Sequence, residues 1–161
     1  MELVFTDGRD ERFQALCREL DDTLNALVGG ETQRAQYAPY NTPEAIRDVV
    51  VVVEDGQAVA CGGYKEFEPG TAEIKRVFVT PLCRGRGYAR AVMAALEARA
   101  ASQGYSRLIL ETGSMLAAAR SLYQAVGFVR IENYAQYRCL PLSVCMEKRL
   151  GAHAYIRGGK P

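Results

Sequence analysis

The apolar positions of this chain change period several times, and each change predicts a change of element. A short apolar run at residues 3–5 ends at Asp7 and Gly8 and predicts a strand. Phe13, Leu16, Leu20, Leu24 and Leu27 then recur every three or four residues, which is the stripe of an amphipathic helix, and Gly29 and Gly30 stop it. Residues 31–41 (ETQRAQYAPYN) have no clean period and predict a surface loop, after which Pro43 opens a short helical turn. The unbroken β-branched run at 49–53 predicts a strand buried on both faces. Glu54-Asp55-Gly56-Gln57 turns it into a second strand over 58–67, and Pro69-Gly70 leads to a third that carries Glu73. Three strands with such short connections form an antiparallel meander.

Helical spacing returns at Ala89, Val92, Met93, Leu96 and Ala100 and ends at Gly104, before an apolar strand at 108–110. Strand, helix, strand in this order implies a parallel pair with a right-handed crossover. A further helix over 115–125 ends at Gly127, and residues 128–131 and 142–149 predict two last strands around a polar loop. The expected class is α/β (α+β), a mixed and mostly antiparallel sheet of about seven strands with helices on both faces. Residues 1–150 are expected to form one domain and residues 151–161 a loose tail.

Composition narrows the function classes. With 161 residues, 48% hydrophobic and 24% charged, the chain is long enough for a real core. A formal net charge of +1 argues against general binding to nucleic acid or a membrane surface. Five cysteines without a CxxC pair, beside a single histidine, argue against zinc or another metal and for reduced thiols. No apolar run is long enough to span a bilayer, and the expected location is cytoplasmic.

Against this neutral background, residues 74–90 hold Lys75, Arg76, Arg84, Arg86 and Arg90 and no acidic residue. Here the strand carrying Glu73 runs into Arg84-Gly85-Arg86-Gly87-Tyr88-Ala89, a basic glycine turn that opens a helix. Unpaired N–H groups at a helix N-terminus, and glycines that let backbone approach closely, make such a turn a cradle for phosphate. Position 90 is Arg rather than the third glycine of GxGxxG, and no GK[ST] follows, so the dinucleotide and P-loop readings are both disfavoured.

RGRGYA fits the pattern [QR]xxGx[GA], and Leu122-Tyr123 with Gly127-Phe128 fits LYxxxGF. Together with the preceding strand they resemble the GNAT superfamily of acyl-coenzyme A dependent N-acetyltransferases over nearly the whole chain. That resemblance implies acetyl-CoA as co-substrate, with its pyrophosphate on the amides of residues 84–89 and its pantetheine and thioester beside Phe78 and Val79. It also implies the Val79 N–H as oxyanion donor, Glu73 as the base and Tyr123 as the acid that protonates the departing thiolate. An alkylamine with a pKa of about 10 must lose a proton before it can attack, which is the task given to Glu73. A carboxylate paired with Lys75 or Arg76 is the structural alternative. Many relatives place an Asn seven residues before the tyrosine; this chain has Leu116 there, and Glu111-Thr112-Gly113 are either replacement polar groups or a structural turn.

Tyr37, Tyr40 and Asn41 in the first loop, with Asn133 and Tyr134 in the last, are the candidate acceptor-binding residues, giving apolar walls with hydrogen-bonding tips. They suggest a small polar amine attacking directly in a ternary complex. A protein or peptide acceptor, a non-catalytic acyl-CoA binding module and a homodimer are left open.

Overall fold

The computed structural model describes residues 1–27 and 42–151. Its elements are strand β1 (Glu2–Thr6), helix α1 (Glu11–Leu27), strands β2 (Asp48–Glu54), β3 (Gln57–Glu68) and β4 (Thr71–Val79), helix α2 (Tyr88–Ser102), strand β5 (Arg107–Gly113), helix α3 (Ala117–Ala125), and strands β6 (Val129–Ile131) and β7 (Ser143–Arg149). Short 3₁₀ turns stand at Pro43–Ala45, Pro81–Cys83 and Ala135–Cys139. The strands form a seven-stranded sheet of order β1-β2-β3-β4-β5-β7-β6. The β1–β2, β2–β3, β5–β7 and β6–β7 pairs are antiparallel, and β4–β5 is the parallel pair that the strand-helix-strand order predicts. The helical turn expected at Pro43 is the first of the 3₁₀ turns, and the second and third interrupt stretches that carry no helical period. Among the described residues no helix is long and apolar enough to cross a membrane.

By internal packing the chain divides into two compact units. The first holds residues up to Lys65 together with Lys75–Leu96, and the second holds Glu66–Ile74 and the chain from Glu97 onward.

In the first unit α1 begins at Asp10, whose Oδ1 accepts the N–H groups of Arg12 (2.9 Å) and Phe13 (3.4 Å), the geometry of an N-cap. The apolar stripe of α1 buries Phe13, Leu16 and Cys17 against Ile46, Val49, Val51, Cys61 and Phe78. Val49 to Val52 are fully buried, as a strand covered on both faces requires. A Cβ on Gly62 of β3 would lie 2.7 Å from Val92 and 3.1 Å from Leu96, so glycine there admits α2 close against the sheet. That contact fixes the helix whose first turn is the candidate anion cradle.

In the second unit β5 buries Leu108, Ile109 and Leu110, and β7 buries Val144, Cys145 and Met146. Glu111 stands opposite Cys145 in the register, with Ile131 of β6 on the other side of β7. Arg107 Nε donates to Glu147 at 2.7 Å, and Lys148 Nζ reaches both Glu97 and the Val126 carbonyl at 2.8 Å, closing the end of α3 onto β7.

Candidate active site

The cradle belongs to the first unit. Gly85 (φ +78°) and Gly87 (φ +84°) both adopt the left-handed conformation, and a Cβ on either would meet nothing within 4 Å. Their absent side chains therefore answer to backbone geometry and leave the exposed face of the turn open. α2 starts at Tyr88, and its first backbone bond from this turn runs from Ala91 N to the Gly87 carbonyl at 3.1 Å. The N–H groups of Tyr88, Ala89 and Arg90 thus precede the first intrahelical acceptor. No acidic residue occupies the first turn to oppose an anion.

Arg84 and Arg86 are exposed beside these amides, but the Arg84 side chain folds back. Its Nε donates to the Val79 carbonyl at 3.1 Å, and its guanidinium lies 5.7 Å from the centre of the buried Phe78 ring. Phe78, Val79 and Arg84 are thereby brought together, with Arg84 bracing the end of β4. Desolvation, then the nearby Glu54 charge, raises the Tyr88 pKa, and the nearby Arg86 opposes the rise. These residues suit the pyrophosphate of coenzyme A: amides at a helix end, two open left-handed glycines, and exposed arginines.

The second unit holds the acid and base candidates. Glu73 is the third residue of β4 and is 2% exposed. The Tyr134 hydroxyl donates to its Oε2 at 2.6 Å, a length typical of a charge-assisted O–H···O⁻ bond. Arg76, one of the two cations considered as a structural partner for Glu73, pairs instead with Asp21. Tyr123 is buried on α3, edge-on to Phe128 with ring centres 6.0 Å apart. Burial, and then the charge of Glu111, raises its pKa, so the phenol is a neutral proton donor across ordinary pH.

Tyr134 sits in a loop that is tied to itself. The Asn133 side-chain amide donates to the carbonyls of Tyr137 (3.2 Å), Leu140 (3.4 Å) and Ser143 (3.0 Å), so its N–H₂ group shapes the loop. Ala135 takes the left-handed conformation at φ +47°, unusual for a residue with a Cβ. The Tyr134 ring meets Phe67 edge-on at 5.2 Å and Tyr137 at 5.4 Å. Phe67 was not among the candidates read from the sequence: it ends β3 half-exposed, and its period-2 position alone does not distinguish it from an ordinary surface aromatic. Tyr37, Tyr40 and Asn41 lie outside the described residues.

With this geometry in hand, comparison with known proteins is informative. The model of the acetyltransferase (GNAT) family matches residues 13–128. An IAA acetyltransferase of Azospirillum brasilense is 35% identical over 136 residues, covering 84% of this chain and 88% of that protein. The crystal structure of a Klebsiella pneumoniae protein assigned as an acyl-CoA N-acyltransferase is 32% identical, covers 93% of this chain and 97% of its own, and superposes with a TM-score of 0.77. N-acetylglutamate synthase of Neisseria gonorrhoeae, solved with coenzyme A and N-acetyl-glutamate, shares the fold: TM-score 0.67 at 19% identity, over 94% of this chain and 36% of that one.

Proposed function

Since the chain belongs to the acetyltransferase (GNAT) family, we propose that it acetylates the primary amine of a small polar molecule, with Glu73 as base and Tyr123 as acid. That it is an acyl-CoA dependent N-acyltransferase, with acetyl-CoA as co-substrate, follows from its family and relatives. When bound, acetyl-CoA would supply the acetyl group as a thioester, and coenzyme A would leave as a thiolate for Tyr123 to protonate.

The observation that carries the reading is the buried Glu73 carboxylate held at 2.6 Å by a tyrosine of the last loop. A buried carboxylate on a rigid strand is a costly feature with no benefit to packing, and it gains a purpose as the proton acceptor for an ammonium. Tyr123 complements it, since its raised pKa keeps the phenolic proton available to a leaving group. The Val79 N–H is the proposed oxyanion donor. Residues 84–89 hold the pyrophosphate through the amides that open α2. Tyr134, through its ring, walls the acceptor side, and Tyr37, Tyr40 and Asn41 are assigned to the same task from the sequence.

The test is release of free thiol from acetyl-CoA in the presence of amino acids, polyamines, aminoglycosides, short peptides and, because of the Azospirillum relative, IAA. Turnover with a small amine and none with peptides is the expected result; turnover with peptides alone would overturn the small-acceptor reading. Acetyl-CoA itself should raise the melting temperature, since a ligand selective for the folded state stabilises it by mass action.

A further inference from the structure

We infer that Tyr134 is a positioning residue for the base: its hydroxyl fixes the Glu73 carboxylate, while its own ring is fixed by Phe67, Tyr137 and the Asn133-pinned loop. The inference rests on the proposed role of Glu73 and adds to it a residue whose hydroxyl acts through that carboxylate.

A glutamate side chain has three rotatable bonds, and a proton acceptor misplaced by about 1 Å can lose two orders of magnitude in rate. Burial excludes water from Glu73, so its orientation must come from protein donors. Tyr134 is such a donor at 2.6 Å. A tyrosine is a precise holder only if its ring cannot swing. Here the ring is met edge-on by Tyr137 (5.4 Å, 88°) and by Phe67 (5.2 Å, 74°), both within the favourable range for aromatic pairs. The backbone beneath it is set by the three carbonyl bonds of Asn133 and by the left-handed Ala135. A strained residue in a loop so over-determined is the usual mark of a position held for function.

The same geometry limits what else Tyr134 can do. Its single hydroxyl proton points at Glu73 and is not available to an acceptor molecule. Burial, then the Glu73 charge, raises its pKa, so it keeps that proton and does not compete as a base. Tyr137 and Cys145 also bear electrostatically on Tyr134, and Glu111 on Tyr137.

The experiment compares Tyr134→Phe, Glu73→Gln and the double variant in the full chain. It uses acetyl-CoA with the amine giving the fastest thiol release in the panel above. Losing a hydrogen bond to a charged group should lower kcat about ten- to a hundredfold in Tyr134→Phe, with KM for the amine nearly unchanged. In the Glu73→Gln background the same change should cost less than about twofold, because the two residues act as one unit. Additive losses, or a loss confined to KM, would overturn the inference. If Glu73→Gln keeps full turnover, or no amine releases thiol, the proposed function falls and this inference with it. If Glu73→Gln is inactive and Tyr134→Phe is normal, only this inference falls. An acceptor-free measurement stands even should Tyr134→Phe fail to fold: tyrosine-labelled protein should show a downfield, exchange-protected hydroxyl proton that moves upfield in Glu73→Gln, and an unmoved resonance would overturn the pairing.

Discussion

Glu73 and Arg76 lie three residues apart on β4 and both are buried, yet their surroundings serve different ends. Arg76 is gripped by the fold. Its Nη1 and Nη2 donate to the two carboxylate oxygens of Asp21 at 2.9 and 3.0 Å, and Nη2 also reaches the Cys17 carbonyl at 3.0 Å. Both partners come from α1, and the planar fork of the guanidinium matches them bidentately. The backbone at Arg76 takes a left-handed φ of +60°, and Nε is left buried without a hydrogen-bond partner. Glu73 is gripped by a loop. One hydrogen bond to it comes from a hydroxyl 61 residues downstream, a donor on the last loop that steadies the carboxylate. On the proposed role of Glu73, buried charge on one strand ties elements together at one position and presents chemistry at another.

The widest separation between the two should appear when each is removed. Glu73→Gln keeps the shape and an acceptor for Tyr134, so the melting temperature should move by only a few degrees while kcat falls about 10²- to 10⁴-fold, the usual contribution of a general base. Stopped or steady-state thiol release measures the first effect and a thermal scan the second. Unchanged kcat would make Glu73 a second Arg76. Arg76→Met should do the reverse. It leaves Asp21 and the Cys17 carbonyl without their donor, and urea titration should show a loss of about 2–3 kcal/mol. The fraction that remains folded should turn over within a few-fold of the wild type.

Which parts of this contrast could be read from the chain follows from the range of the forces involved. The β-branched run at 49–53, the helical stripe of α1 and the parallel β4–β5 pair were legible, because period and turn chemistry act over a few residues. The open glycines at 85 and 87 were legible for the same reason: a left-handed turn at a helix entrance asks for glycine locally. The bond between Tyr134 and Glu73 had no local signature, since two further strands and two helices separate its members along the chain. Arg76 was read as one of a run of basic residues and as a possible partner of Glu73, but tertiary packing draws it inward to Asp21. Asn133 was read as an acceptor contact, and its amide instead faces the carbonyls of its own loop. In both cases the residue type named the capacity for polar contact and the fold chose the partner.

A smaller effect sharpens the electrostatic side of the comparison. Tyr123, Tyr134 and Tyr137 all have pKa values raised chiefly by burial, so each keeps its proton in the folded state at a pH where the unfolded chain releases it. Groups of this sign contribute stability that is complete below the unfolded value of about 10 and is lost as pH rises above it. Denaturant midpoints measured from pH 8 to 11.5 should therefore be flat and then fall. Tyr134→Phe should reduce the slope above pH 10 by about 1.4 kcal/mol per pH unit, the share of one proton. An unchanged slope would mean that the Tyr134 hydroxyl is not enclosed with Glu73.

The last pair of changes moves the comparison from charges to glycines, where the same division between fold and site should reappear. Gly62→Ala forces a Cβ to within 2.7 Å of Val92 and 3.1 Å of Leu96, an overpacking that should cost about 1–3 kcal/mol whether or not acetyl-CoA is present. Gly87→Ala meets no protein atom within 4 Å, so the free protein pays only for a side chain at φ +84°, about 1 kcal/mol. With acetyl-CoA the order should invert: a methyl group on the open face of the turn would stand where the proposed site brings the pyrophosphate. The ligand-induced rise in melting temperature should then shrink much more in Gly87→Ala than in Gly62→Ala. Equal ligand-induced shifts in the two variants would place the pyrophosphate away from the turn, and the open face at Gly87 would then be a matter of backbone geometry alone.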